Sequence, residues 1–242
     1  MILDTNNYFD RVKSANDFDE RNESETKFYG YDPNLNKIKG SLFSYESLHR
    51  FGIIHTTADI FLLLTNNKII IQKRAKSIDI PDIYGPSAGG HCEYDQLPKD
   101  TALIELNEEL GLRIDSERIK PIFKNGQPIN NYFFRKFISS EQRNIVLQRF
   151  APNSQWYTDK GIPAKNIIEN PKSFYFNQEL AYFFYVLIDY DEKKEILINK
   201  DEISSIETFN ISSFRGLVKK QMYFSDSLYL MNEYKFCDLI QK

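Results

Sequence analysis

From residue 57 the chain alternates between dense apolar runs and short polar breaks. TADIFLLL (57–64), a polar Thr65-Asn66-Asn67 break and KIIIQKR (68–74) predict a β-hairpin with well-filled strands. A stretch rich in turn residues, IDIPDIYGPSAGG (78–90), predicts a loop. Beyond it the period changes. Leu103, Leu106 and Leu110 recur at helical spacing, with Pro98 and Asp100 at the start and Gly111 placed for a left-handed C-terminal cap. Further strands are expected near Ile119 to Phe123, at NYFFRKFI (131–138) and at AYFFYVLIDY (181–190), the last as a central strand. NKDEISSIETFNISSF (199–214) reads as a late strand followed by the start of a helix. EQRNIVLQRF (141–150) fits a strand or a short helix, and PNSQWYTDKGIPAKN (152–166) fits a loop.

Residues 1–45 are polar and charge-mixed, with scattered aromatics at Phe9, Phe18, Phe28, Tyr29 and Tyr31, which predicts an ordered, peripheral extension. The remaining domain, 46–242, carries an insertion at about 126–180, longer than ordinary connections require.

Composition narrows the function. A net charge of -3 supplies no global basic field to recruit DNA. The longest apolar run, around Ile60 to Leu64, is too short to cross a bilayer. The opening MILDTNNYFD lacks the basic and apolar regions of a signal peptide. Cys92 and Cys237 are the only cysteines and make neither a disulfide framework nor a zinc cluster. A cytoplasmic, reducing compartment is expected.

Three carboxylates give the sharper signal. Glu105, Glu108 and Glu109, at i, i+3 and i+4, share one helix face. Like charges so gathered repel unless water or a cation separates them, so the face is either solvated or a site for Mg2+ or Mn2+. Lys73 and Arg74, at the end of a strand, are ordinary strand-end charges or contacts for a substrate diphosphate. His91 reads as a hydrogen-bonding loop residue, and His49 and His55 as packing at the junction with the extension. Trp156, Tyr132, Phe133 and Phe134 fit either core packing or stacking on a nucleobase.

The stretch AGGHCEYDQLPKDTALIELNEELGL (88–112) resembles the Nudix box, with Gly90, Glu105, Leu106, Glu108, Glu109, Gly111 and Leu112 in register. Gln96 stands where the box has a glutamate, and Ile104 where it has the arginine that pairs with a catalytic glutamate. The flanking sequence resembles the subgroup allied to isopentenyl-diphosphate isomerase, with LHRFGIIHTT as its paired-histidine lead-in at His49 and His55. The isomerase cysteine, however, is replaced by Gly89. Cys92 follows the histidine rather than preceding it, and Ile78 stands near the position of a second basic residue. Isomerase chemistry, which needs an acid and a base on opposite faces of the substrate, is therefore not expected.

The resemblance implies an α/β fold, the Nudix α/β/α sandwich with a mixed β-sheet, and metal-dependent hydrolysis of a small-molecule diphosphate such as a nucleoside diphosphate derivative. Glu105 and Glu109 would hold Mg2+ or Mn2+, assisted by Glu108 and the Gly90 carbonyl. One of the glutamates would act as general base, and Glu93 reaches the same ions from the loop. The departures at Gln96 and Ile104 keep a second reading open: a module of the same fold that binds a phosphorylated ligand without turning it over. Arg135, Lys136, Arg143 and Arg149 make the insertion locally basic, suited to a flap over a large phosphorylated substrate, with capped RNA not excluded, or to a homodimer contact.

Overall fold

The computed structural model describes residues 7–21, 26–75, 84–124, 127–128, 130–135 and 177–214. Along the chain come α1 (Tyr8–Asp19), β1 (Phe28–Tyr31), β2 (Lys37–Phe43) and α2 (Tyr45–Phe51). Then follow β3 (His55–Leu64), β4 (Lys68–Arg74), β5 (Tyr84–Gly85), β6 (Ala88–His91) and α3 (Pro98–Leu110). A 3-10 turn at Ser116–Arg118 precedes β7 (Lys120–Pro121), β8 (Phe123–Lys124), β9 (Gln127–Pro128) and β10 (Asn130–Arg135). The last elements are β11 (Asn177–Ile188), α4 (Tyr190–Lys194) and β12 (Ile203–Asn210).

The main sheet runs β10-β11-β3-β4-β12, with β5 on β4, β6 on β3 and β7 on β11. Among the described residues only its β11–β3 pairing is parallel, from Glu179↔His55 to Ile188↔Leu64; β10–β11, β3–β4 and β4–β12 are antiparallel. The sheet is mixed, as expected, and the fold is α/β.

Both faces are covered, which is why β3 reads as a nearly unbroken apolar run. Ala58, Ile60, Leu62 and Leu64 pack with Ala102, Leu106 and Leu110 of α3. Phe61 and Leu63 point the other way, into a cluster with Ile69, Ile71, Phe183 and Phe214, the last from helical residues 211–214. The hairpin closes as the sequence predicts, with Leu64 opposite Lys68. Asn67 supplies the left-handed residue at φ 61, which asparagine tolerates well.

Helix α3 begins with Pro98 in its first turn and ends at Gly111, φ 67. The N–H groups of Gly111 and Leu112 return to the carbonyls of Asn107 and Leu106, closing the helix around a left-handed glycine. The strand expected at Ile119 to Phe123 is instead two short pieces, β7 and β8. Pro121 has no N–H to donate, and the Ile122 N–H bonds the Phe183 carbonyl.

The N-terminal residues form α1, the β1–β2 hairpin and α2 around their own cluster, which contains Tyr8, Val12, Phe28, Phe43, Leu48, Ile53 and Ile54. The expected 1–45 extension thus shares its core with α2 and the residues leading into β3. Of the 126–180 insertion, backbone is described for 127–128, 130–135 and 177–180. The readings of EQRNIVLQRF, PNSQWYTDKGIPAKN, Lys136, Arg143, Arg149 and Trp156 lie outside the described residues, as do Ile78 and Cys237. So do the side-chain readings of Tyr132, Phe133, Phe134 and Arg135. Among the described residues, no helix is long and apolar enough to cross a membrane.

Candidate active site

The apolar stripe of α3 turns its buried face to the sheet and brings the neighbouring carboxylates over the end of β4. Glu109 is only 5% exposed. Its Oε2 accepts two hydrogen bonds, from Gln72 Nε2 at 3.1 Å and from the Gly89 N–H at 3.2 Å. Burial, then Glu105 and Glu202, raise its pKa well above the ordinary carboxylate value, against the pull of Arg74 and the Gly89 N–H. Glu105 is raised to about 7 by burial and by Glu202, Glu108 and Glu93. Glu202 is also raised, by burial and Glu108, with Arg74 opposing.

Five carboxylates and one guanidinium therefore act on one another here. The sequence reading identified Glu93, Glu105, Glu108, Glu109 and Arg74; Glu202 and Gln72 escaped it. Glu202 arrives because the chain beyond α4 docks on the end of α3: Leu197 and Asn199 donate N–H groups to Leu110 and Glu109 carbonyls. The Glu202 carbonyl then accepts from the Ala75 N–H, and its side chain accepts from Asn199. Lys73 goes elsewhere. Side chains alternate along a strand, so Gln72 and Arg74 share the α3 face with Ile70, whereas Lys73 follows Ile69 and Ile71 to the opposite face.

Gly90 sits in β6 opposite Ala58. A Cβ there would lie 1.8 Å from Glu105 Oε1, whereas one at Gly89 would lie 2.8 Å from the Ala58 carbonyl oxygen. The two glycines thus serve different ends. Gly90→Ala is expected to leave Tm nearly unchanged, because the Glu105 side chain can swing away, and to cut turnover more than about tenfold by displacing that carboxylate. Gly89→Ala meets backbone, which cannot give; a loss of about 1–3 kcal/mol should appear as a lower Tm in calorimetry. The reverse pattern would contradict this assignment.

The loop before α3 is held from two sides. Gln96 Oε1 accepts from the Thr101 hydroxyl at 2.9 Å and from the Glu93 N–H at 3.3 Å. That duty needs only an acceptor oxygen, which a glutamine amide supplies. On the other side, the Tyr94 N–H donates to the Lys27 carbonyl, Phe28 bridges Glu93, and the Tyr29 hydroxyl donates to Asp95. Cys92, 4% exposed, has its thiol pKa pushed up by burial, which suits a packed thiol rather than an acid or base in catalysis.

One residue beyond Gly90 lies a second group. The chain has three histidines, and His49, His55 and His91 meet with ring centroids 5.0–5.1 Å apart. His49 Nδ1 and His55 Nδ1 each lie 2.8 Å from a backbone carbonyl, of Tyr45 and Ile53. A carbonyl only accepts, so each Nδ1 carries the hydrogen and each neutral ring keeps its lone pair on Nε2. His49 Nε2 lies 3.3 Å from His91 Nε2, and Glu179 Oε1 lies 3.6 Å from the latter. His55 Nε2 is buried with no hydrogen-bond partner among the described residues, and burial lowers the ring's pKa. One ligand atom from each of the four side chains falls within 4.8 Å of the others, a set that can hold a metal ion. Three imidazoles and a carboxylate suit a borderline-soft ion such as Zn2+. Weighing each histidine singly missed the group; that every histidine in the chain belongs to it was the available signal.

The carboxylate group has the hard oxygen donors that Mg2+ or Mn2+ takes, and its mutual repulsion is what a cation relieves. Both groups therefore fit metals, of different kinds.

Comparison with known proteins gives one family match: the NUDIX domain, over residues 54–229. DR0079 from Deinococcus radiodurans is similar in structure with a TM-score of 0.54 at 12% identity, over 86% of this chain and 97% of that one. A MutT protein from Methanosarcina mazei Go1 gives 0.45 at 9% identity, over 78% and 96%. The NUDIX domain of Shewanella oneidensis NrtR, in complex with ADP ribose, gives 0.43 at 10% identity, over 76% and 88%. The comparison with curated proteins gives no match. At these identities the first of these likenesses supports the fold alone.

Proposed function

The chain belongs to the NUDIX family, and from that membership we propose a divalent-metal-dependent hydrolase that cleaves a diphosphate linkage in a nucleoside diphosphate derivative or a related small diphosphate. The observation that carries this reading is the burial of Glu109 and half-burial of Glu105 beside Glu108 and Glu202, with both raised in pKa. A merely solvated face would leave these groups in water. Here burial and mutual repulsion favour the protonated acids, and a cation joining them would favour the charged forms.

In this reading Glu105 and Glu109 hold Mg2+ or Mn2+, with Glu108, Glu202 and the Gly90 carbonyl around them and exposed Glu93 at the rim. The bound ion would neutralise phosphate charge and make a water nucleophilic. Arg74 acts on the same group and would take a phosphate oxygen of the substrate. One carboxylate removes the proton from the attacking water. Lys73, on the opposite face of the sheet, takes no part in diphosphate binding.

A binding module of the same fold is the second reading, favoured by Ile104, an apolar side chain 38% exposed that can pair with no glutamate. The test is incubation with Mg2+ or Mn2+ and a panel of nucleotide sugars, ADP-ribose, dinucleotides, nucleoside triphosphates, capped RNA and isoprenoid diphosphates, with products read by mass spectrometry. Metal-dependent cleavage of at least one diphosphate is expected. Ligand-induced thermal stabilisation with no product from any compound would establish the binding module instead.

A further inference from the structure

We infer that Gln72 is the positioning residue for Glu109, fixing which of its carboxylate oxygens is offered to the catalytic ion. This deepens the proposed function and rests on Glu109 being a metal ligand.

Gln72 is 4% exposed and belongs to β4, which is paired on both edges: Gln72 lies opposite Ile206 of β12 and Gly85 of β5. Its backbone N–H also points at the Pro86 carbonyl. The side chain thus springs from a backbone held by two neighbouring strands and reaches α3 through one hydrogen bond, Nε2 to Glu109 Oε2. The Gly89 N–H converges on the same oxygen. With Oε2 held twice, rotation about the last bond of the glutamate is stopped, and Oε1 is the oxygen left outside both bonds. Helix α3 itself offers no equivalent clamp, because the residue before Glu105 is Ile104.

The chemistry of the clamp also matters. A neutral amide orients the carboxylate through one donated hydrogen bond and adds no positive charge of its own to compete with the ion. Arg74 faces Glu109 from two residues along the same strand and supplies the positive charge beside it. Residues that hold a metal ligand from behind commonly account for about 10–100-fold in metal affinity or activity.

The experiment uses the full chain with Gln72→Leu, which removes the donor at similar volume, and Gln72→Asn, which keeps the amide but withdraws it by one methylene. Mg2+ half-saturation of turnover, kcat, substrate KM at saturating Mg2+, and Mg2+ affinity by titration calorimetry are measured for each. Gln72→Leu should raise the Mg2+ half-saturation and the calorimetric Kd about tenfold or more. It should lower kcat and leave KM within about twofold, with Gln72→Asn intermediate. A purely structural role would change Tm without this split. Half-saturation, Kd and kcat all within about twofold of wild type in either folded variant overturn the inference. Failure of the wild type to hydrolyse any substrate removes the enzymatic reading, yet the calorimetric comparison still decides on Gln72. Full activity in both variants removes Gln72 and leaves the hydrolase standing.

Discussion

Glu109→Gln will abolish metal-dependent turnover, by about a thousandfold or more, while the metal-free protein keeps or gains thermal stability. Two effects combine. The substitution removes a charged ligand from the ion, and losses of that size are typical when a group stabilises charge in the reaction itself. It also relieves a crowded site: Glu109 is buried beside Glu105 and Glu202, and its raised pKa records the cost of ionising it. The glutamine amide is isosteric with the protonated acid. The same repulsion gives the wild type a pH signature in chelator. Glu105, at about 7 in the fold against 4.5 normally, binds its proton more tightly in the native state. Its contribution to stability is therefore present at low pH and lost as pH rises through the window from about 4.5 to 7. Melting in EDTA should show Tm falling across that window, and Mg2+ should restore it. A flat Tm, or a Glu109→Gln protein that still turns over, would falsify the assignment of these carboxylates.

His55→Ala will remove a transition-metal site. The wild type is expected to bind Zn2+ at the histidine group, and the variant to lose at least about a hundredfold in affinity for it, with Mg2+ binding at the carboxylates retained. The reasoning is geometric. Two imidazoles are held with Nε2 lone pairs inward by backbone carbonyls, one Nε2 has no partner among the described residues, and a carboxylate stands at the rim. A buried nitrogen without a partner is costly, and an ion or a shared proton removes that cost. Calorimetric titration with Zn2+ in saturating Mg2+ checks it. Equal Zn2+ affinity in wild type and variant would assign the cluster to packing.

Much of the scaffold was legible because its cues are local. The hairpin at Asn67, the proline-to-glycine limits of α3 and the central β11 each announce themselves within a dozen residues, and the box register put Glu105, Glu108 and Glu109 on one face. What escaped depends on partners far along the chain. Glu202 reaches the site because β12 lies against β4, with Ile203 opposite Arg74; nothing in NKDEI alone reveals it. Gln72 looked like an ordinary strand polar residue until β4 and α3 were set face to face. The split between Lys73 and Arg74 was readable from strand alternation, which sends neighbours to opposite faces. The N-terminal elements hid because their apolar residues are widely spaced and find their cluster only across α1, the hairpin and α2.

The single parallel pairing has a consequence for how the molecule comes into being. Strand β3 must wait for β11 to be synthesised before its second edge is covered, since residue 55 pairs with residue 179. A nascent chain emerging from the ribosome can close the β3–β4 hairpin and raise α3 early, from contiguous sequence. Long-range parallel pairing comes late and slowly, with an apolar strand edge open meanwhile. Neither metal-fitting group is complete at that stage: the histidines lack Glu179, and the carboxylates lack Glu202. Each group is thereby assembled only once the C-terminal third of the chain has arrived.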